Sequence, residues 1–228
     1  GFDKFYGFLG GETNQWAPFV YDGTTPQELP EDPKYHFMAD MTDKAISWMK
    51  FQKALAPEKP FFMYFAPGAT HAPHHVPAEW IAKWKGKFDG DWDALRKEIL
   101  ARQIKLGVVP KGTKLAPKPD AIPNWDKLSK DQKTLFAHQF EVFAAYVDYT
   151  DFHVGRLVKA VEEAGQIDNT MVVLIYGDNG TSAEGGANGM FSEMTYFNGV
   201  QEKVEDMLKV MDKWGGPETY PHMAAGWA

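Results

Sequence analysis

Three histidines within five residues, His71, His74 and His75, stand among prolines in "GATHAPHHVP" (68–77). An acid and an amide stand side by side in "YGDNGTSAEGG", Asp178 and Asn179, with Gly180 after them. Both groups suit chemistry at a loop. Neutral imidazoles can ligate a metal, and a positioned histidine can act as a general acid. Carboxylate and amide oxygens are hard donors, fitted to Ca²⁺ or Mg²⁺ rather than to a soft metal, and a glycine next to them lets the backbone turn closely around an ion. Each group also has an ordinary structural reading: Asp, Asn and Gly are the usual residues of a strand-end turn, and a loop histidine is commonly just solvated. Glu184 reads as a solvated loop acid within reach of the same turn. His36, His138, His153 and His222 stand alone in the sequence and read as structural, and Asp148 and Asp151 read as solvated or capping charges on a helix.

The elements that must position these residues alternate between strand and helix patterns. "KPFFMYFAP" (59–67) and Met171–Tyr176 are short unbroken apolar runs, the pattern of strands buried on both faces of a parallel sheet. Each leads directly into one of the two loops. In open α/β sheets ligands bind beyond the carboxyl ends of strands, so parallel strands here would bring His71 and Asp178 to one face. Helices are predicted over about 40–55 with Asp40 as N-cap, over 78–84, over 91–106, and over about 200–213. Ser129 and Gln132 have capping-box spacing, and the apolar positions from Leu135 to Val161 extend that helix to Gly165, a C′ position. Residues 1–35 and 107–128 read as loops.

Composition narrows the function. The 228 residues are 44% hydrophobic and 24% charged, the balance of a globular chain, with a net charge of −7 that disfavours a nucleic-acid or anionic-membrane surface as partner. The absence of cysteine removes disulfides, thiolate metal sites and a cysteine nucleophile from this stretch. No phosphate-cradling GxxxxGKS/T, dinucleotide signature or GxSxG elbow occurs, and no apolar run reaches the roughly 18 residues of a membrane span. The chain opens on "GFDKFYGFLGG" and closes on "PHMAAGWA", which leads us to expect that both ends are cuts in a longer protein.

In order along the chain, "GFDKFYGFLGGETNQW" (1–16), "PFFMYFAPGATHAPHHVPAEW" (60–80), "FDGDWDALRKEILARQIKLGVVP" (88–110), "FEVFAAYVDYTDFHVGRLVKAVEEAGQIDNT" (140–170) and "GDNGTSAEGGANG" (177–189) resemble the sulfatase family, in particular the bacterial arylsulfatases of the alkaline-phosphatase-like superfamily. The resemblance implies an α/β fold of three layers, a central mostly parallel sheet with flanking helices. Residues 1–228 would form the central portion of one catalytic domain, with the nucleophile region before it and a further region after it. It implies hydrolysis of sulfate esters, small-molecule or glycan, by a formylglycine nucleophile made from the Cys or Ser of a C/S-x-P-x-R motif, assisted by a divalent cation, usually Ca²⁺, with Mg²⁺ as the alternative. Asp178 and Asn179 match the family's Asp-Asn metal ligands after a late strand. His71, with Pro73 and Pro77, matches its H-x-P…P histidine, which contacts the sulfate and the leaving group. The chain contains no C/S-x-P-x-R, no counterpart of the two early acidic ligands and no Lys-Trp-His motif, so the fragment alone is expected to be inactive. The rival expectations are a phosphodiesterase or phosphonate monoester hydrolase of the same superfamily, a non-catalytic binding domain derived from the fold, and a purely structural fragment.

Overall fold

The computed structural model describes residues 1–175 and 184–227. Among the described residues six α-helices carry the architecture: α1 Phe37–Leu55, α2 Ala78–Trp84, α3 Trp92–Leu106, α4 Lys130–Glu163, α5 Glu193–Phe197 and α6 Val204–Lys209. With 34 residues, α4 is about 51 Å long at 1.5 Å per residue, and α1, α2 and α6 pack against it. Its start follows the sequence pattern closely. The Ser129 hydroxyl accepts from the Gln132 N–H at 3.1 Å, and the Gln132 side chain accepts from the Ser129 N–H at 2.9 Å, which satisfies two N–H groups at a helix start that otherwise lack partners. At the other end Gly165 takes φ +65°, the left-handed conformation a glycine adopts without a Cβ penalty.

The buried side chains of α4 include Leu135, Phe136, Val142, Ala145, Tyr146 and Tyr149, which meet Phe37, Met38 and Met41 of α1 in one continuous core. Gln139, fully buried on α4, bridges two later segments: its amide donates to the Asn188 carbonyl at 2.8 Å and its oxygen accepts from the Ala224 N–H at 2.9 Å. A buried amide is stable there only because both of its ends are paired. The C-terminal end closes on an aromatic cluster in which Trp227 stacks on Phe140, with centroids 4.5 Å apart, and meets Trp92 and Trp125 edge-on. Gly226 lies so close to the Trp92 ring that an added Cβ would come within 2.2 Å of it.

The N-terminal 35 residues, read as loop, contain three two-residue strands, β1 Tyr6–Gly7, β2 Tyr21–Asp22 and β3 Thr25–Pro26, in an antiparallel sheet of order β1-β2-β3. Gly23, at φ +61°, makes the tight turn between the last two. Asp40 does not cap α1. The N-cap is His36, whose Nδ1 accepts from the Met38 N–H at 3.2 Å and whose Nε2 donates to the His75 carbonyl at 3.2 Å. Asp40 sits one turn in and accepts from Tyr6 and Tyr35, tying β1 to α1. The predicted helix over 200–213 is shorter, α6 followed by a 3₁₀ turn over Met211–Lys213.

The two apolar runs expected as buried strands are not strands among the described residues. In the first, burial alternates: Phe61 and Met63 pack against Met49, and Phe65 against the main core, while Phe62 and Tyr64 point to solvent. In the second, Met171 to Ile175 are all exposed, from 55% at Val172 to 88% at Met171. The only sheet among the described residues is the antiparallel β1-β2-β3, so a central parallel sheet is not observed there. A strand that is apolar on both faces needs a neighbour along each edge and a layer on each face, and the described residues provide none for 171–175.

Candidate active site

The loop that carries His71 is held from two sides by chain segments remote in sequence. His74 donates its backbone N–H to the Pro221 carbonyl at 3.1 Å, and Val76 donates to the Gly215 carbonyl at 3.1 Å. His75 is fully buried and makes the strongest tie: its Nε2 donates to the Thr219 carbonyl at 2.7 Å, and its Nδ1 accepts from the Gln15 N–H at 3.2 Å. Burial holds the His75 imidazole down at about 4. This ring is a neutral clamp between the N-terminal loop and the C-terminal segment, since a proton on Nδ1 would expel the Gln15 donor.

Opposite the loop, residues 219–222 pair with residues 190–193. Met190 and His222 exchange two backbone hydrogen bonds of 2.9 Å, Tyr220 donates to the Phe191 carbonyl at 3.0 Å, and Glu193 donates to the Tyr220 carbonyl at 2.9 Å. Glu202 accepts from Phe191, Ser192 and Thr195 and so holds the start of α5. Gly185 permits the approach of the preceding loop, where an added Cβ would lie 2.0 Å from the Met223 carbonyl oxygen and 3.1 Å from His222 Nδ1.

His71, Glu12, Glu193, Tyr220, Glu184 and His222 gather where these segments meet. The His71 side chain is 52% exposed; its Nδ1 lies 2.8 Å from the Ala72 carbonyl oxygen and 3.4 Å from Glu12 Oε2. The Tyr220 hydroxyl donates to Glu12 Oε1 at 2.8 Å, and burial, then that hydrogen bond, raises the phenol above its usual range. Glu193 is 5% exposed; burial, then the carboxylates of Glu12 and Glu184, push its carboxyl up to about 7. His222, also buried, has Nε2 3.3 Å from Glu184 Oε2, and burial holds its imidazole below the ordinary range against the pull of that carboxylate. Glu184 is therefore not simply a solvated loop acid. A half-exposed imidazole with a carboxylate beside it and a raised carboxyl behind it is an arrangement able to move a proton at the protein surface.

His74 is buried, 5.1 Å from the Phe143 ring centroid and 5.1 Å from that of His222, and burial holds its imidazole well below the ordinary range. Asp178 and Asn179 lie outside the described residues. Among the described residues no three His, Asp or Glu side chains are placed to hold a metal ion, so they do not by themselves make an ion site. Glu12, Glu193 and Tyr220 were not singled out in the sequence. Nothing local marks them; Glu12 sits in a Gly-rich loop without periodicity, and only the pairing of 219–222 with 190–193 brings the three together.

Comparison with known proteins bears on the same stretches. The family model Sulfatase matches residues 1–209. An uncharacterized sulfatase of Schizosaccharomyces pombe is 30% identical over 181 residues, 77% of this chain and 32% of that protein. An arylsulfatase of Klebsiella aerogenes is 27% identical over 207 residues, 86% of this chain and 42% of that protein. The chain thus spans about a third to two-fifths of the length of these relatives. A single family model that runs from Gly1 through α6, across both candidate loops and every segment that gathers the site except 215–222, leads to one assignment: the chain belongs to the sulfatase family.

Proposed function

We propose that this chain is the central part of a catalytic domain that, in the complete protein, hydrolyses sulfate esters, with an aryl sulfate as the working substrate. The observation that carries the reading is His71: it matches the family histidine, keeps half its side chain open to solvent, and has a carboxylate beside it. His71 acts as the proton donor to the leaving oxygen. As the S–O bond breaks, the proton passes from the imidazolium to the departing alcohol and the ring is left neutral. Asp178 and Asn179 would supply two hard oxygens to a divalent cation, Ca²⁺ or Mg²⁺, which when bound neutralises charge on the sulfate oxygens. Two ligands fall short of the six to eight oxygens that Ca²⁺ prefers; on this reading the others lie outside the matched loops. A formylglycine would supply the nucleophile, and with no cysteine and no S-x-P-x-R in the sequence these 228 residues alone turn over no sulfate ester.

The test is turnover of aryl sulfates whose phenols differ in acidity, in the complete protein. His71→Ala should cut turnover by roughly 10²–10⁴-fold, the range for a general acid, with the largest loss for the most basic phenolates. Acidic phenols leave without protonation, so their loss should be small. A loss that is the same for every phenol removes His71 from the proton-donor role.

A further inference from the structure

We propose that Glu12 is a positioning residue for His71: anchored by Tyr220, its carboxylate fixes the orientation and tautomer of the imidazole. This rests on the reading of His71 as the proton donor and adds to it a residue that neither the loop motif nor the family resemblance assigns.

The geometry leaves His71 Nδ1 a single role. Its two neighbours, the Ala72 carbonyl at 2.8 Å and Glu12 Oε2 at 3.4 Å, are both acceptors, so Nδ1 carries a hydrogen in the neutral and in the charged ring alike. The proton that leaves must then come from Nε2. The Ala72 carbonyl is attached to the same loop and turns with it, so it cannot fix the ring against the rest of the molecule. Glu12 comes from the N-terminal loop and is itself held. Its other oxygen accepts from the Tyr220 hydroxyl at 2.8 Å, and Tyr220 is locked on both sides of its backbone by Phe191 and Glu193. The ring is therefore referenced to the C-terminal segment through two side chains.

Glu193 is a second carboxyl of the cluster. It is the buried one, while Glu12 is the more exposed, with 27% of its side chain open. The more exposed carboxyl is therefore the one that faces Tyr220 and His71. The Nδ1–H bonds the Ala72 carbonyl and has Glu12 beside it at ion-pair distance; an acid set against the inner N–H of an imidazole, while the outer nitrogen exchanges the proton, is a recurrent device for holding one tautomer.

The experiment compares Glu12→Ala, Glu12→Gln, Tyr220→Phe, His71→Ala and the Glu12→Ala/His71→Ala double variant in the complete protein, on the same series of aryl sulfates. Glu12→Ala should lose about ten- to a hundredfold in kcat/KM, the range seen when the outer partner of a positioned imidazole is removed. The loss should grow with the basicity of the phenolate, as for His71→Ala. Glu12→Gln, which keeps an acceptor oxygen, should recover part of it, and Tyr220→Phe should show a smaller loss with the same leaving-group dependence. On the His71→Ala background, removal of Glu12 should cost nothing more. Additive losses, or a Glu12→Ala loss equal for all phenols while His71→Ala remains leaving-group dependent, would overturn the proposal and make Glu12 a structural residue. A His71→Ala loss that is itself independent of the phenol would instead overturn the reading of His71, and the proposal with it. Should Glu12→Ala fail to fold, Tyr220→Phe, which removes one oxygen atom, and Glu12→Gln decide by the same pattern.

Discussion

His71 keeps half its side chain in water, while His74, three residues on, is 3% exposed and lies against Phe143 and His222. The same residue type in the same loop therefore has two environments. His74→Ala should cost stability, about 1–3 kcal/mol for a buried side chain, with turnover of the folded enzyme falling far less than in His71→Ala and without dependence on the leaving group. Urea unfolding set beside the aryl sulfate series separates the two, and a steep leaving-group dependence in His74→Ala would put the proton donor three residues downstream. For the Asp-Asn pair the expectation is chemical. Asp178→Ala removes a charged oxygen and should lose divalent-ion occupancy and activity together, while Asn179→Ala removes a neutral one and should be milder. Metal content measured on both purified variants checks this, and full occupancy in Asp178→Ala would return the pair to an ordinary turn. Of the site, His71 was legible as a residue type in a telling loop. Glu12, Glu193 and Tyr220 were not, because an acid or a phenol gains a role only from what another segment places beside it.

At the scale of elements, the helices were the legible part. The spans 78–84 and 91–106 agree with α2 and α3 to within a residue, and the capping box and Gly165 delimit α4, because caps and a 3.6-residue period are local properties of a chain. α1 starts at Phe37, before Asp40, because His36 caps it through its ring nitrogen, and the Asp40 carboxylate instead takes two tyrosine hydroxyls. The close packing of the chain end on α3 yields an expected outcome. Gly226→Ala would drive a methyl group into the Trp92 ring and loosen the cluster of Trp92, Trp125 and Trp227, at a cost of about 1–3 kcal/mol for overpacking. A lower thermal midpoint with a weakened near-ultraviolet tryptophan signal checks it; an unchanged midpoint would mean that the indole moves aside freely.

For the whole molecule, buried imidazoles set the response to acid. Burial holds His36 down at about 3 and His75 and His153 at about 4, whereas in the unfolded chain each titrates near 6.5. These rings are neutral in both states above pH 6.5, so their contribution to stability is intact there. Below 6.5 the unfolded chain binds protons that the folded one refuses, and stability is lost progressively as the pH falls toward 4 and then 3. Glu193 acts in the opposite sense: held at about 7, it favours the folded state at low pH and withdraws that support as the pH rises from the ordinary carboxylate range through 7. With His74 and His222 also held below their ordinary range, five histidines outweigh one glutamate, so the urea midpoint should fall from pH 6.5 to pH 4.5, with a net uptake of protons on unfolding at pH 5. A midpoint that is flat or rises over that interval would contradict it. The same scale explains the exposed run Met171–Ile175. Its unbroken apolar pattern asks for a sheet that the described residues do not assemble, and an uncovered stretch of this kind favours association.

The sequence by itself determined α2, α3, the capping box and end of α4, the loop that carries His71, and the family, because hydrophobic period, capping residues and ordered motifs are written along the chain. Tertiary structure alone decided which histidine stays in water and which carboxyl is buried. It also decided that Glu12 reaches His71, and that the apolar runs at 61–65 and 171–175 are respectively half-covered and bare. Burial, and proximity between residues far apart in the chain, arise only when segments such as 12–15, 71–76 and 215–222 close on one another, and the desolvation and charge effects that tune a site begin at that step.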